Sequence, residues 1–324
     1  MAILVGIDEA GFGPVLGPLL VAASVFEMPE PLLRESGWEI LRRSVCKARA
    51  GSKGRLIVND SKKVHLGRGN HADLQRGVLA FLATLQPDAP LPATVGQLLP
   101  RLAADCAGDL AEYPWYGLCA HDWPLSYDPG EINLAAQALS ADMGAHKIRF
   151  HGLWACPLFE GHYNRLVGTI DNKSAVLFQQ VSKLLDKACR SLDCRNLQIL
   201  VDKQGGRDYY REKLQQLFPD LEMKVLKEGD TLSSYQLSGP GRRVKIHFIV
   251  KGDDRHLPIA LASMAAKYVR ELFMDMLNGY FQRHCPDILP TAGYYADGRR
   301  FLADLDSFHL PAHLAPRHLL VRDR

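Results

Sequence analysis

The sequence predicts an α/β fold, in which buried strands alternate with helices. Two observations predict it. Short apolar runs that suit buried strands recur along the chain and end in acidic residues or glycines, and the stretches between them carry apolar residues at helical spacing. That alternation is typical of a sheet flanked by helices. At roughly 100–200 residues per domain, the 324 residues form one large domain or two modest ones.

The strands are predicted from apolar runs that stop at turn residues. The first run ends in Asp8-Glu9, the fourth ends at Asp202, and the fifth alternates with polar residues before Gly252. The predicted strands cover residues 2–7, 19–26, 147–155, 197–201 and 244–250.

Two helices and one insertion stand out between these strands. Asp171 or Asn172 is expected to cap a helix whose apolar residues recur through Ala188, and Pro258 is expected to open an Ala-rich helix that ends at about Leu277. Residues 86–135 are rich in Pro, Ala, Leu and Asp. We interpret them as an acidic, partly helical insertion that lies away from any phosphate-binding surface.

Composition narrows the class of protein. Lys and Arg number 39 and Asp and Glu number 36, so the net charge of +3 excludes a histone-like polycation, although a local basic groove is still compatible with nucleic acid. The seven cysteines are scattered without zinc-site spacing, as in reduced cytosolic proteins. The first residues do not resemble a signal peptide, and the longest apolar stretch is too short for a membrane span. We therefore expect a cytoplasmic protein without a membrane partner.

Acidic residues follow three of the predicted strands. They are Asp8-Glu9, Asp202 and Asp253-Asp254. Functional groups of α/β sheets gather at the carboxyl ends of strands, and clustered carboxylates need a counter-charge such as Mg²⁺. A single acid after a strand is more often a turn residue or helix cap. Neighbours on a strand also face opposite sides, so Asp8 and Glu9 share a site only if the strand ends or bulges there.

The sequence around these acids resembles the ribonuclease HII family. The match consists of five motifs in the family's order, spread over roughly residues 1–85 and 140–305. They are Asp8-Glu9-Ala10-Gly11-Phe12-Gly13 with Gly17-Pro18, Asn59-Asp60-Ser61-Lys62-Lys63, Val201-Asp202, Gly252-Asp253 with Ser263 and Lys267 downstream, and Gly293-Tyr294.

This resemblance implies a fold, an activity and a site. The fold is an RNase H-like mixed five-stranded sheet flanked by helices, with a catalytic domain over residues 1–275 and a helical extension over 276–324. The activity is endonucleolytic cleavage of RNA in RNA–DNA hybrids or ribonucleotide-containing duplexes, with two Mg²⁺ or Mn²⁺ ions. The implied catalytic and metal-binding residues are Asp8, Glu9, Asp202 and Asp253, the spacing to Ser263 selecting Asp253 over Asp254.

The nucleic-acid contacts implied by the resemblance lie in the same motifs. Glycines let the backbone approach a 2′-hydroxyl, the lysines approach phosphates, and Tyr294 stacks on a sugar or base. Basic residues within 42–55 and 242–255 are further candidates for phosphate contact. The contact residues implied are Gly11, Phe12, Gly13, Ser61, Lys62, Lys63, Ser263, Lys267 and Tyr294.

Two departures from the family mark the chain as a divergent member. The family's Gly-Arg-Gly turn is Gly11-Phe12-Gly13 here, which removes a cation and puts cleavage at single embedded ribonucleotides in doubt. The segment 201–207 reads Val-Asp-Lys-Gln-Gly-Gly-Arg instead of the family's Val-Asp-Gly-Asn. These changes indicate an altered substrate range.

Two other functions fit parts of the sequence. A non-catalytic protein that binds hybrid or RNA on the same fold would explain the loss of the turn arginine, but it has no need for four acids. A dinucleotide-binding enzyme would use the glycines after the first strand. The G-x-G-x-x-x-G spacing differs from that fingerprint, and acids precede the glycines.

Overall fold

One mixed sheet organises the protein, which is described by a computed structural model over residues 1–65, 67, 70–117, 120–204 and 207–323. Within these residues the sheet has seven strands, in the order β5-β2-β1-β6-β9-β8-β7, and a short parallel ribbon pairs β3 with β4. The strands are β1 (Ala2–Ala10), β2 (Leu19–Met28), β3 (Val45–Cys46), β4 (Leu56–Ile57), β5 (Arg149–Leu158), β6 (Asn196–Asp202), β7 (Glu222–Lys227), β8 (Leu232–Gly239) and β9 (Arg242–Ile249).

The helices flank this sheet on both faces. Two additional short segments, Glu30–Arg34 and Ala104–Cys106, are 3₁₀ turns. The helices are α1 (Gly37–Ile40), α2 (Ser61–Val64), α3 (Ala72–Ala83), α4 (Val95–Leu102), α5 (Ala107–Leu110), α6 (Pro114–Gly117), α7 (Pro129–Ala145), α8 (Glu160–Ile170), α9 (Lys173–Ser191), α10 (Arg211–Leu217), α11 (Gly252–Arg255), α12 (Leu257–His284), α13 (Tyr295–Ser307) and α14 (Arg317–Leu320).

The predicted mixed α/β architecture is confirmed, but the expected count of five strands is too low. All five predicted strands are present, and β7 and β8 extend the sheet beyond β9 across the described part of the chain. Sequence pattern missed β7 because this edge strand is largely exposed, and β8 because serines interrupt its apolar positions. The three central strands β1, β6 and β9 are parallel, whereas their outer neighbours pair antiparallel.

Two helices begin where the sequence indicates. The side chain of Asn172 accepts the N–H of Ala175 at 3.0 Å and caps α9, while Asp171 ends α8 in the left-handed conformation. Pro258 lies in the first turn of α12, which continues to His284, beyond the expected end at Leu277. Helix α12 also runs without a break across positions 275 and 276, where the C-terminal extension was expected to begin.

Two apolar cores cover the two faces of the sheet. Helix α9 packs on the face that carries Val5, Ile7 and Val201, and α12 packs on the face that carries Leu4 and Leu200. A Cβ atom at Gly6 would lie 2.1 Å from the carbonyl carbon of Pro258. Glycine at that position therefore allows α12 to cross β1 closely.

The predicted insertion packs against α12. Trp115 is fully buried with its ring 5.8 Å from that of Phe281, and the ring of Tyr116 lies 5.1 Å from that of Phe273. The segment contains α4, α5 and α6 and the start of α7, so its partly helical character is confirmed. It covers an apolar side of α12.

The topology argues against the dinucleotide-binding alternative. Strand β1 is followed by the antiparallel strand β2, whereas a dinucleotide-binding turn leads from a strand into a helix that binds the pyrophosphate at its N-terminus. Among the described residues, no helix combines the length and the apolar character that crossing a membrane requires.

Candidate active site

The carboxyl ends of three adjacent parallel strands bring the predicted acids together. The pairing of β1 with β6 ends at Ile7 opposite Val201, and the pairing of β6 with β9 ends at Asp202 opposite Ile249. Asp8 and Glu9 follow the first of these pairs directly. Helix α11 begins soon after β9 and carries Asp253 in its first turn. All four predicted acids therefore lie at one edge of the sheet.

Asp8 and Glu9 lie within a strand, not after it, so the expected end of β1 at residue 7 is wrong. Strand β1 continues to Ala10 because β2 still pairs with it, Glu9 lying opposite Val21. Asp8 shares the face of Leu4 and interacts with Ser263 on α12, whereas Glu9 has the parity of Ile7 on the other face. The two side chains reach the same end of the sheet from opposite faces.

Asp8 is buried and Glu9 is half-buried, and their carboxyls lie among like charges. Burial, followed by the charges of Glu9 and Asp202, raises the pKa of Asp8 well above its usual value. Burial, with the charges of Asp202 and Asp253, raises the pKa of Glu9 to about 7. These raised values show that the four carboxyls are near enough for each to disfavour ionisation of the others.

Asp202 and Asp253 complete this group. The backbone N–H of Gly252 donates to Oδ1 of Asp202 at 2.7 Å, which ties the end of β6 to the start of α11. Burial raises the pKa of Asp202 to about 6, and the charge of Asp253 adds to the shift. The pKa of Asp253 is also raised, first by burial and then by the charge of Asp60.

Helix α2 brings a lysine to these acids. The side chain of Asp60 caps the helix by accepting the N–H of Lys62 at 2.9 Å. The ammonium of Lys62 partly offsets the rise in the pKa values of Glu9, Asp202 and Asp253, so its charge acts on all three carboxyls. Lys62 is exposed, so the predicted lysine of this motif lies beside the acids and in reach of solvent.

Ser61 and Ser263 form the contact between α2 and α12. The two hydroxyl oxygens lie 3.0 Å apart, and both residues are buried. Ser263 also interacts with Asp8. The two predicted serines thus connect the lysine-bearing helix to the first acid, and their burial places them in the interior of the site.

Lys63 and Lys267 are engaged with acids of the protein itself. Lys63 forms an ion pair with Asp254. Lys267, which is 9% exposed, places Nζ 2.5 Å from Oε1 of Glu271 one helical turn along α12. Lys62 and Lys63 are both exposed and their charges act on the acid cluster, that of Lys63 through Asp253, whereas Lys267 is buried.

The glycine turn after β1 contacts the segment that contains Tyr294. The carbonyl of Gly293 accepts the backbone N–H groups of Val15 and Leu16 at 2.8 and 3.2 Å. Gly11 has a φ of +86°, and a Cβ there would lie 2.6 Å from Nε of Arg270, so this position requires glycine. Gly13 has open space beside it.

Two exposed aromatic side chains flank this glycine turn. Phe12 is 37% exposed and Tyr294 is 48% exposed, and each follows directly after a glycine that packs on Arg270. The guanidinium of Arg270 lies 5.6 Å from the centroid of the Tyr294 ring. Phe12 is therefore not a core residue, and two aromatic side chains are accessible to solvent at the glycine turn.

Several of the other predicted cations stabilise the fold. Arg49 pairs with Asp73, and Arg55 donates to the backbone carbonyls of Arg42, Gly51 and Ser52. In the later basic stretch, the guanidinium of Arg242 donates to the carbonyl of Leu192 at 3.1 Å. These arginines have local roles. Gly205 and Gly206, in the segment that departs from the family, lie outside the described residues.

The acid cluster has the chemistry of a site for a hard divalent cation. Mg²⁺ prefers oxygen ligands, and a cation would offset both the burial and the repulsion that raise the pKa values of Asp8 and Glu9. Within the described residues, however, no three His, Cys, Asp or Glu side chains are arranged as a ready-made metal site. The donor type and the excess of negative charge fit a divalent metal, and the final ligand geometry is not present.

Solved structures that are similar to this chain include several ribonucleases H. The chain is similar to the RNase HII of Archaeoglobus fulgidus, solved in complex with PCNA, at 14% identity and a TM-score of 0.40 over 95% of this chain and 90% of that one. It is similar to the ribonuclease H2 of Pyrococcus horikoshii at 13% identity and a TM-score of 0.41, over 98% and 92%. It is also similar to Bst-RNase HIII with Mn²⁺ at 14% identity and a TM-score of 0.37, over 99% and 66%.

Other comparisons found nothing. A scan of known protein families and a search of curated proteins both returned no match to the chain.

Sequence reasoning missed three buried charged residues near the site. Glu160 and Arg270 are fully buried, and Arg322 is 3% exposed. A signal was present for Arg270, since Lys267, Arg270 and Glu271 are charges in an otherwise apolar helix. Glu160 and Arg322 carry no such signal, because the residues that they contact are distant in sequence.

Proposed function

We propose that the protein is a metal-dependent endoribonuclease that cleaves the RNA strand of RNA–DNA hybrids. The observation that carries this proposal is the convergence of Asp8, Glu9, Asp202 and Asp253 at the carboxyl ends of three parallel strands, where burial and the charges of neighbouring acids raise their pKa values. Structural acids are usually paired with cations. This cluster has an excess of carboxylates over nearby cations, which is the balance that a metal site requires.

The four acids share one role in the proposed chemistry. Asp8, Glu9, Asp202 and Asp253 would hold one or two Mg²⁺ or Mn²⁺ ions. When bound, such ions activate a water molecule and stabilise the oxygen that leaves in phosphodiester hydrolysis. The N–H of Gly252 holds Asp202 in place, and Ser263 does the same for Asp8.

The surroundings of the acids suit a nucleic-acid backbone. Lys62 is an exposed cation beside the cluster and would contact a phosphate next to the cleaved bond. The turn at Gly11 and Gly13 exposes backbone atoms that would approach a 2′-hydroxyl, the group that distinguishes RNA from DNA. Phe12 and Tyr294 offer aromatic faces for stacking on sugars or bases. The five motifs shared with ribonuclease HII point to the same substrate.

A cleavage assay with matched substrates tests the proposal. The purified chain is incubated with Mg²⁺ or Mn²⁺ and four labelled substrates: an RNA–DNA hybrid, a DNA duplex with one ribonucleotide, plain duplex DNA and single-stranded RNA. We expect cleavage of the hybrid in its RNA strand and none of plain DNA. Asp8→Asn should abolish cleavage, whereas Asp186→Asn, which removes an acid paired with Arg190 on α9, should leave it unchanged.

The same assay separates the catalytic proposal from the binding alternative. If no substrate is cleaved with either metal while wild type and Asp8→Asn bind the hybrid with equal affinity, the protein is a hybrid-binding protein and the nuclease proposal is wrong. Hybrid cleavage without cleavage at a single ribonucleotide would support a role for Phe12 in a changed specificity.

A further inference from the structure

Arg322 lies near the carboxyl end of the described chain and is buried against the turn that follows β1. Its backbone N–H donates to the carbonyl of Val15 at 2.8 Å, and its guanidinium donates to the carbonyl of Pro14. The guanidinium also stacks 4.9 Å over the ring of Tyr163. Burying an arginine is costly unless its contacts compensate, so these contacts to the turn hold the end of the chain in a defined place.

Arg270 on α12 also holds this turn. This fully buried residue of α12 donates to the carbonyls of Leu16 and Ala292 at 3.2 and 3.1 Å. Arg322 and Arg270 therefore donate hydrogen bonds to the three consecutive carbonyls of residues 14–16. Each guanidinium is a rigid, permanently charged donor, which suits it to fixing backbone carbonyls.

Glu160 lies beside Arg322, and the two charges favour each other. It is fully buried at the start of α8 and accepts the hydroxyl of Tyr116 at 2.9 Å. The backbone N–H of Gly17 and the charge of Arg322 both stabilise its carboxylate. Tyr116 belongs to the insertion and Arg322 to the chain end, so two segments outside the motif-bearing regions meet under the glycine turn.

The chain end is fastened to α8 by a separate residue. The side chain of Asn164 donates to the carbonyls of Val321 and His318 at 2.7 and 3.2 Å and accepts the N–H of Asp323 at 2.7 Å. Arg322 lies between these contacts. Asn164 thus positions Arg322 without touching the turn itself.

We propose that Arg322 is a positioning residue for the glycine turn. Residues 317–323 at the chain end and the insertion at 86–135 together form a brace that holds this turn in place for substrate binding. The turn connects the strand of Asp8 and Glu9 to β2 and presents Gly11, Phe12 and Gly13. Because ordering a loosened binding element costs free energy when the substrate binds, a loosened turn would bind substrate poorly even with all four acids in place. The activity part of this inference rests on the proposed function, whereas the structural part does not.

Hydrogen exchange of the turn tests the brace without reference to activity. In wild type, the N–H groups of Val15 and Leu16 are bonded to Gly293. We expect Arg322→Ala to speed exchange of the peptide 10–18 by about tenfold, the effect of losing one charged hydrogen bond. Arg317→Ala is the matched control, because it removes an exposed arginine of the same segment that pairs with Asp306. Unchanged exchange in folded Arg322→Ala would overturn the proposal.

Kinetics on the hybrid tests the consequence for binding. Arg322→Ala should raise KM by about tenfold with little change in kcat, because it disturbs a binding element and leaves the acids intact. Arg322→Lys should restore part of the affinity, since its ammonium still reaches a carbonyl. A merely structural role would lower the amount of active protein and leave KM unchanged, and that result would contradict the proposal.

A second variant covers the case in which Arg322→Ala does not fold. Asn164→Ala removes three contacts to the chain end and keeps Arg322, so it should also speed exchange of the peptide 10–18. Equal exchange in this variant and wild type would count against the brace. If wild type cleaves no hybrid, the proposed function fails, and the exchange experiments still decide whether the brace exists.

Discussion

Asp253 and Asp254 are consecutive residues of α11, yet their carboxyls lie in opposite electrostatic surroundings. Burial and the charge of Asp60 raise the pKa of Asp253, whereas the hydrogen bond from Lys63 lowers the pKa of Asp254. Lys47 adds a hydrogen bond of 2.7 Å to the backbone carbonyl of Asp254. Asp253 therefore belongs to the acid cluster at the sheet edge, whereas Asp254 connects α11 to Lys63 and Lys47.

This contrast predicts different effects of two adjacent substitutions. Asp253→Asn should lower kcat for hybrid cleavage by at least about 10²-fold, since it removes a proposed metal ligand. Asp254→Asn keeps the size of the side chain and removes only an exposed ion pair, so its effect should be less than about tenfold. Steady-state cleavage of labelled hybrid measures both. Equal losses in the two variants would show that Asp253 has no special role.

Metal binding should be visible as a change in thermal stability. Addition of Mg²⁺ or Mn²⁺ should raise the Tm of wild type, because a ligand at 100 times its Kd stabilises the native state by about 2.7 kcal/mol. Asp202→Asn should lose most of this rise, and without metal it should be more stable than wild type because one repelling carboxylate is gone. Differential scanning calorimetry with and without a chelator measures both effects.

The control for the metal experiment is another acid-to-amide change. Asp186→Asn alters an acid that pairs with Arg190 at the surface of α9, so its response to metal should equal that of wild type. A metal-induced rise in Tm that is the same in all three proteins would place the cation outside the acid cluster.

The positions of the four acids were easier to predict from the sequence than the contacts that hold them in place. The ends of β6 and β9 were predictable because apolar runs stop at Asp202 and before Asp253. The end of β1 was not, since pairing with β2 carries the strand through Asp8 and Glu9. The charges that interrupt the apolar sequence of α12 indicated burial near Lys267, whereas the ion pair between Lys267 and Glu271 was not predicted.

Long-range contacts set the limit of prediction for the rest of the fold. Strand β7 is short and largely exposed, and only Met223 and Val225 alternate with polar residues in it, which is too little to mark a strand. Arg322 and Pro14 are separated by almost the whole chain, and nothing in the local sequence of either residue indicates the other. Such pairs follow from the packing of α8, α12 and the chain end, which a single sequence does not specify.

The stability of the metal-free protein should depend on pH through Glu160. Burial raises the pKa of Glu160 from 4.5 to about 7, so the folded state binds the proton more tightly than the unfolded state. This contribution is fully present below about pH 4.5 and is lost as the pH rises to 7, at a cost of about 3 kcal/mol. Glu160→Gln should remove it, which flattens the fall in stability between these pH values.

The measurement is urea unfolding at several pH values in the presence of chelator. Other buried acids contribute equally to wild type and variant, so the difference between the two curves isolates Glu160. Glu112→Gln is the matched control, because its carboxylate lies in the neighbouring insertion and is 51% exposed. Parallel curves for Glu160→Gln and wild type would mean that Glu160 remains ionised in the folded protein.

Phe12→Arg should restore a cation at the glycine turn and change how the protein holds nucleic acid. Phe12 is 37% exposed, so an arginine there has room to reach a phosphate. One added phosphate contact should steepen the dependence of log K on log salt for hybrid binding by about 1, and we expect cleavage at a single embedded ribonucleotide to increase. Phe308→Arg adds the same charge at an equally exposed phenylalanine, 37% accessible, at the far end of α13. If both variants steepen the salt dependence equally, the gain comes from net charge alone, and the turn at Phe12 does not contact the substrate.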